Sequence, residues 1–186
     1  MPTSNDVLPR HGVTGLAVSE KEINLFLNYL AKTDSEPAKV HIEGAQQKKK
    51  EIRDAETRFI DPKETDLYRI LNKIGFSANK YFKYDINGIE KAQIINYKAP
   101  SEGYNYHIDI GPEGTAANRK ISMSLILNDD YEGGEICFRS SDSEKCTRPA
   151  KGEVVLFSSF LSHKVKPITK GERFVVVTWF TGPPFR

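Results

Sequence analysis

The polarity pattern divides the chain into two halves. From Ser19 onward, apolar positions fall at helical spacing: Ile23, Phe26, Leu27 and Leu30. Ser19 and Glu22 form a capping-box pattern ahead of them, which predicts a helix start at Ser19. A second stripe, Leu67, Ile70, Leu71 and Ile74, follows Asp61-Pro62, with Glu64 in the first turn. That arrangement predicts a helix capped by Asp61 and ended or bent at Gly75. Residues 38–43 and 55–60 read as short strands. The stretch from Gly44 to Asp54, with its Lys48–Lys50 run, reads as a flexible polar loop. Residues 1–15 read as a frayed N-terminus.

Beyond about residue 90 the helical period disappears. Apolar and β-branched runs recur between turn signals and predict strands near 91–98, 104–110, 120–128, 134–139, 153–158, 163–168 and 173–181. Helices followed by many short strands predict an α+β architecture, an antiparallel two-sheet roll with helices packed on it. The expected organisation is a flexible 1–15 and a single domain over 16–186, with helical support in 16–82 and the β core in 90–181.

Composition narrows the function classes. The 186 residues suffice for about one domain. With 27 basic and 25 acidic side chains, the net charge of +2 gives no electrostatic reason to expect a nucleic-acid or membrane partner. There is no apolar run long enough for a membrane helix, and Met1–Leu16 lacks the pattern of a secretory signal. The expectation is an intracellular, cytoplasmic protein. Cys137 and Cys146 flank a polar stretch and would meet across a hairpin. With no export signal, two reduced thiols are the favoured state.

The chemistry-bearing residues concentrate in the second half. The chain has four histidines, and two lie in strand-like segments near other reactive types. His107 and Asp109 form a His-x-Asp pair, and residues i and i+2 of a strand share a face. His163 opens another predicted strand. If those strands are neighbours, two imidazoles and one carboxylate face one point, the ligand set of non-haem Fe(II) oxygenases. Arg173 follows ten residues later, within Gly171–Phe180, where the apolar run begins at the next residue. An unpaired buried guanidinium is costly, so a fork that grips a carboxylate is the functional reading, and an edge arginine reaching water the plain one.

Taken together, these motifs resemble the Fe(II)/2-oxoglutarate-dependent dioxygenases, and the prolyl 4-hydroxylase branch in particular. The resemblance is carried by Gln93, Tyr97, Tyr104-Asn105-Tyr106-His107-Ile108-Asp109, the Leu127-Asn128…Gly133-Gly134-Glu135 hairpin, Pro149–Phe157, His163 and Arg173. It implies a double-stranded β-helix (jelly-roll, cupin-like) core braced by N-terminal helices. His107, Asp109 and His163 are then expected to bind Fe(II), Arg173 to hold the far carboxylate of 2-oxoglutarate, and Tyr97 to add a phenolic hydrogen bond. Ser122 and Trp179 are expected at the cosubstrate pocket, and Tyr104 or Tyr106 at the substrate. The implied activity is hydroxylation of an unactivated C–H bond with O2, aided by ascorbate. An aspartate at position 109 favours hydroxylation over halogenation. The implied substrate is a proline-containing peptide or protein, with Gly44–Asp54 and residues 111–118 as candidate closing loops. A small-molecule hydroxylase, a slow iron and 2-oxoglutarate sensor and a cupin-like zinc hydrolase remain as alternatives. Arg173 argues against the last, since zinc hydrolysis needs no dicarboxylate clamp.

Overall fold

The computed structural model describes residues 13–38, 40–42, 45–47, 54–140 and 143–185. The predicted states of residues 1–12 and of the Lys48–Lys50 run lie outside the described residues. Among the described residues there are two α-helices, α1 (Glu20–Lys32) and α2 (Thr65–Phe82). The strands begin with β1 (Val13–Ala17), β2 (Glu36–Pro37), β3 (Val40–Ile42), β4 (Ala45–Gln47), β5 (Glu56–Phe59), β6 (Gly88–Ile89), β7 (Gln93–Lys98) and β8 (Tyr104–His107). They continue with β9 (Arg119–Ile126), β10 (Glu132–Gly133), β11 (Ile136–Ser140), β12 (Ser143–Thr147), β13 (Glu153–Ser158), β14 (His163–Val165), β15 (Ile168–Lys170) and β16 (Glu172–Thr181).

The larger sheet runs β1-β13-β9-β16-β7-β5-β2, with β6 on β16, and the smaller runs β12-β11-β14-β8. All pairings are antiparallel. Alternation along the large sheet sorts its two faces. Ile94, Met123, Leu125, Leu156, Val176 and Phe180 point to a core shared with Ile23 and Phe26 of α1 and Leu67, Leu71 and Ile74 of α2. The opposite face carries Ile95, Tyr97, Arg173, Val175, Val177 and Trp179 and looks toward the small sheet. Ile136 and Phe138 of the small sheet pack there against Val155 and Phe157. Among the described residues, no helix is long and apolar enough to cross a membrane.

Several local expectations hold and several change. Ser19 caps α1 through a complete capping box, its N–H donating to the Glu22 carboxylate at 3.0 Å. The second helix starts at Thr65, one turn later than predicted. Asp61 Oδ1 accepts the Lys63 N–H at 2.9 Å, so Asp61-Pro62 forms a turn ahead of the helix. Val13–Ala17, partly within the supposed frayed end, pairs with β13, and Ala45–Gln47 pairs with β3 in place of the predicted loop. The reduced-thiol expectation is corrected. Cys137 and Cys146 stand directly opposite each other on β11 and β12 and form a disulfide. The polar sequence 143–147 hid the second strand of that hairpin, because its side chains are largely exposed and give no apolar alternation.

Gly75 does not end α2, which continues through it to Phe82. The glycine is buried in mid-helix, and a Cβ there would overlap the Phe180 ring. The helix ends at Lys83 in the left-handed region, where the Asn79 amide pairs with both the N–H and the C=O of Tyr84. Gly75→Ala is therefore expected to destabilise the fold by about 1–3 kcal/mol through overpacking, against about 1 kcal/mol gained in helix propensity. Urea denaturation checks this. The loss should shrink in a Gly75→Ala/Phe180→Leu double variant, and an unchanged midpoint for Gly75→Ala would contradict it.

Candidate active site

A cavity of about 1110 Å³ lies between the two sheets. The strand pairing β8-β14 puts His107 directly opposite His163. The His107 Nδ1 lies 2.8 Å from the Asn105 carbonyl oxygen, and the His163 Nδ1 2.9 Å from that of Leu161. A carbonyl can only accept, so each ring carries its proton on Nδ1 and turns the Nε2 lone pair inward. The His107 Nε2 is 3.5 Å from Asp109 Oδ1, and the His163 Nε2 is 3.6 Å from Asp109 Oδ2. One donor atom from each of the three residues lies within 4.8 Å of the others.

Asp109 reaches this point by a different route from the one expected. β8 ends at His107, so strand alternation does not place the carboxylate. The Asp109 N–H donates to the Ser159 carbonyl at 2.9 Å, and its own carbonyl accepts from Arg119 Nη1 at 3.0 Å. The carboxylate accepts a hydrogen bond from Ser122 at 2.6 Å. Burial opposes its charge, but His163, His107 and the Ser122 hydroxyl together outweigh burial and hold the carboxyl well below its usual range. Burial is also the largest influence on His163. Helped by His107 and opposed by Asp109, it pushes that imidazole down to about 4. At neutral pH the cluster thus offers one anion and a neutral imidazole.

That depression has a measurable consequence in the metal-free protein. Between about pH 4 and 6.5 the unfolded chain binds a proton at His163 that the folded chain does not. Stability from this group is fully present above pH 6.5 and falls as the pH drops toward 4, by about 3 kcal/mol at most. Melting temperature against pH checks this. His163→Gln should flatten that segment, and an equal slope in both proteins would contradict it.

The large sheet supplies the cavity's other wall. Arg173 and Tyr97 are cross-strand neighbours on β16 and β7, each 2% exposed. Arg173 Nε is buried without a hydrogen-bond partner. Its stem passes Gly134, where a Cβ would stand 2.8 Å from Cδ. Trp179 and Ser122 are also cross-strand neighbours, and both line the cavity. The Ser122 hydroxyl, however, is committed to Asp109.

The two tyrosines separate. A bulge sets Tyr104 opposite Val165 while His107 stays opposite His163, so both face the cavity, with ring centroids 3.7 Å apart. Tyr106 is not brought to the cavity. It alternates with His107 and points to the outer face, where its hydroxyl donates to Glu144 and its ring meets Arg139 and Lys164. Residues 111–114 do line the cavity mouth. The sulfurs of Cys137 and Cys146 also cluster with Glu144, but the disulfide leaves no thiolate there to bind a metal.

Sequence reasoning missed Arg119, Glu90 and Ser159. Arg119 makes a two-pronged ion pair with Glu90, both contacts at 2.7 Å, and its guanidinium stacks 3.7 Å from the Trp179 ring centroid. The signal was available, since Arg119 heads an apolar strand just as Arg173 does.

Residues 92–181 match the family model described as the 2OG-Fe(II) oxygenase superfamily. That segment, just under half of the chain, is a 2OG-Fe(II) oxygenase domain. Its donor set of two imidazoles and a carboxylate fits Fe(II), and the unpartnered Arg173 Nε fits the dicarboxylate cosubstrate. A PKHD-type hydroxylase of Alteromonas mediterranea is 32% identical over 92 residues, which are 46% of this chain and 41% of that protein. One from Synechococcus is 36% identical over 88 residues, 46% of this chain and 39% of that one. The chain thus spans about two fifths of the length of these curated relatives. A Pseudomonas putida prolyl-4-hydroxylase superposes with a TM-score of 0.76 at 19% identity, covering 96% of both chains. A Trichoplax adhaerens prolyl hydroxylase, solved with a hypoxia-inducible-factor peptide fragment, gives 0.74 at 17% identity, over 95% of this chain and 86% of that one. At these identities the likeness concerns the fold.

Proposed function

We propose that this chain is an Fe(II)- and 2-oxoglutarate-dependent hydroxylase acting on a prolyl residue of a peptide or protein. The observation that carries the proposal is the meeting of His107, Asp109 and His163 at a cavity that Tyr97 also lines, with the buried Arg173, its Nε unpartnered, directly beside Tyr97 on the next strand. On this reading the two-sheet core is a double-stranded β-helix, braced by α1 and α2, within one domain over residues 16–186.

His107, Asp109 and His163 hold the metal. When bound, iron couples the oxidative decarboxylation of 2-oxoglutarate by O2 to insertion of one oxygen atom into a substrate C–H bond, with ascorbate keeping it reduced. Arg173 grips the far carboxylate of the cosubstrate by two charge-assisted hydrogen bonds, and the Tyr97 hydroxyl adds a third. That grip fixes the orientation of the ketoacid, so the chain works by positioning and no side chain acts as acid or base. Trp179 and Tyr104 wall the pocket and exclude water. Residues 111–114 stand at the mouth, where a peptide enters. The names of the relatives support a hydroxylation, and the fold shared with solved prolyl hydroxylases supports a prolyl substrate.

The test is incubation with Fe(II), ascorbate, 2-oxoglutarate and proline-containing peptides, followed by mass spectrometry. The expected result is a gain of one oxygen on proline, with succinate formed in equal amount. Succinate without peptide modification would redirect the substrate to a small molecule. No succinate under any condition would reject the activity.

A further inference from the structure

Asp109 sits beyond the end of its strand, so something other than the sheet must hold its carboxylate. Ser122 is 1% exposed and Ser159 is fully buried. Ser122 Oγ lies 2.6 Å from Asp109 Oδ2 and 3.0 Å from Ser159 Oγ. A hydroxyl has one proton. When Ser122 gives its proton to the carboxylate, the second contact is made by the Ser159 proton, donated to the Ser122 oxygen. The result is a directed chain, Ser159 to Ser122 to Asp109, in which each bond strengthens the next.

Both serines are themselves fixed. Ser122 is pinned in β9 between Phe157 of β13 and Trp179 of β16. Ser159 donates its N–H to the Lys120 carbonyl at 3.0 Å, and its own carbonyl accepts from Asp109 and Ile110 at 2.9 and 3.1 Å. Ser159 therefore holds Asp109 twice, through the main chain and through the hydroxyl relay.

We propose that Ser122, oriented by Ser159, is a positioning residue for the metal: it locks the Asp109 carboxylate in the rotation that faces both histidines. The proposal rests on the iron-site reading given above. It differs from a role for Ser122 in binding the cosubstrate, because one lone pair of Oδ2 takes the Ser122 proton and none is left for 2-oxoglutarate. Partners that orient a metal ligand typically contribute about 10–100-fold in metal affinity.

The experiment measures Mn(II) affinity without turnover, by electron paramagnetic resonance of the free ion, on the full chain and five variants. Ser122→Ala is expected to bind about 10–100-fold more weakly, and Ser122→Thr, which restores the hydroxyl, to stay within about threefold of the parent. Ser159→Ala should weaken binding severalfold alone but add nothing in the Ser122→Ala background. At saturating Mn(II), 2-oxoglutarate affinity should be unchanged in Ser122→Ala. Parent-like affinity in Ser122→Ala, or a Ser122→Thr as weak as the alanine variant, would overturn the proposal. If Ser122→Ala does not fold, Ser122→Thr and Ser159→Ala decide: a parent-like Ser159→Ala overturns the relay. Failure of the parent to bind Mn(II), or no loss in His163→Ala, would instead reject the iron site itself.

Discussion

Asp109→Ala is expected to lose metal binding by more than about 100-fold, since even an outer partner of a ligand is worth about 10–100-fold. Two effects combine. The variant loses the single anion of the donor set, and it leaves two imidazoles facing each other, with ring centroids 4.2 Å apart and no negative charge between them. Asp109→Asn keeps the shape and an acceptor for Ser122 but not the charge, so it should fail nearly as badly. The metal-free variant is also expected to be less stable at neutral pH. The native carboxyl is held below its ordinary range, so its contribution is present above that range and is lost as the pH falls through the lowered value. The deficit of Asp109→Ala should therefore shrink in acid. Metal titration and melting curves at two pH values check both statements. Metal affinity within tenfold of the parent would remove Asp109 from the ligand set.

The second large effect belongs to Arg173, and it has opposite signs for function and for stability. A guanidinium 2% exposed, with Nε unpartnered, is a strained investment in the unliganded fold. The aromatic face of Tyr97, 5.5 Å from Cζ, offsets it only in part. Arg173→Met keeps the volume and removes the charge. It is expected to raise the unfolding free energy by about 1–2 kcal/mol, as apolar replacements of buried ions often do. The same change should raise the 2-oxoglutarate requirement by about 30-fold or more, since a charge-assisted fork contributes at least about 2 kcal/mol. Metal affinity should not move. Arg173→Lys keeps a point charge without the fork and should fall between the two. Denaturant melts and 2-oxoglutarate saturation curves are sufficient. An unchanged 2-oxoglutarate requirement would reject the clamp.

What the sequence disclosed follows from the range of each signal. Side-chain alternation and helical stripes are local, and they located α1, β9 and β16 well. Arg173 stood out because an apolar run makes a charge conspicuous. The His-x-Asp pair was found by a strand argument that the structure replaces, since β8 stops at His107 and Ser159 places Asp109. Tyr106 was kept as a substrate candidate beside Tyr104, although strand parity turns a residue adjacent to His107 away from it. The bulge that keeps Tyr104 on the His107 side is a register effect between two strands and was not visible in one of them. The same holds for the Glu90–Arg119 pair, 29 residues apart, and for Gly75 against Phe180. The disulfide was obscured by a compartment argument, when the hairpin register alone brings the two cysteines face to face.

The groups around the cavity are split between separate layers. The two histidines ride on the four-stranded sheet, whereas Arg173 and Tyr97 belong to the eight-stranded one. Loss-of-function variants selected at random should therefore sort into two phenotypes. Lesions at the histidine-bearing strands would empty the metal, and lesions at Arg173 or Tyr97 would spare it yet blunt the response to ketoacid. A breathing motion that parts the layers would produce both phenotypes at once, because the Asp109 carboxylate is held by Ser122 of the larger layer while the histidines ride on the smaller.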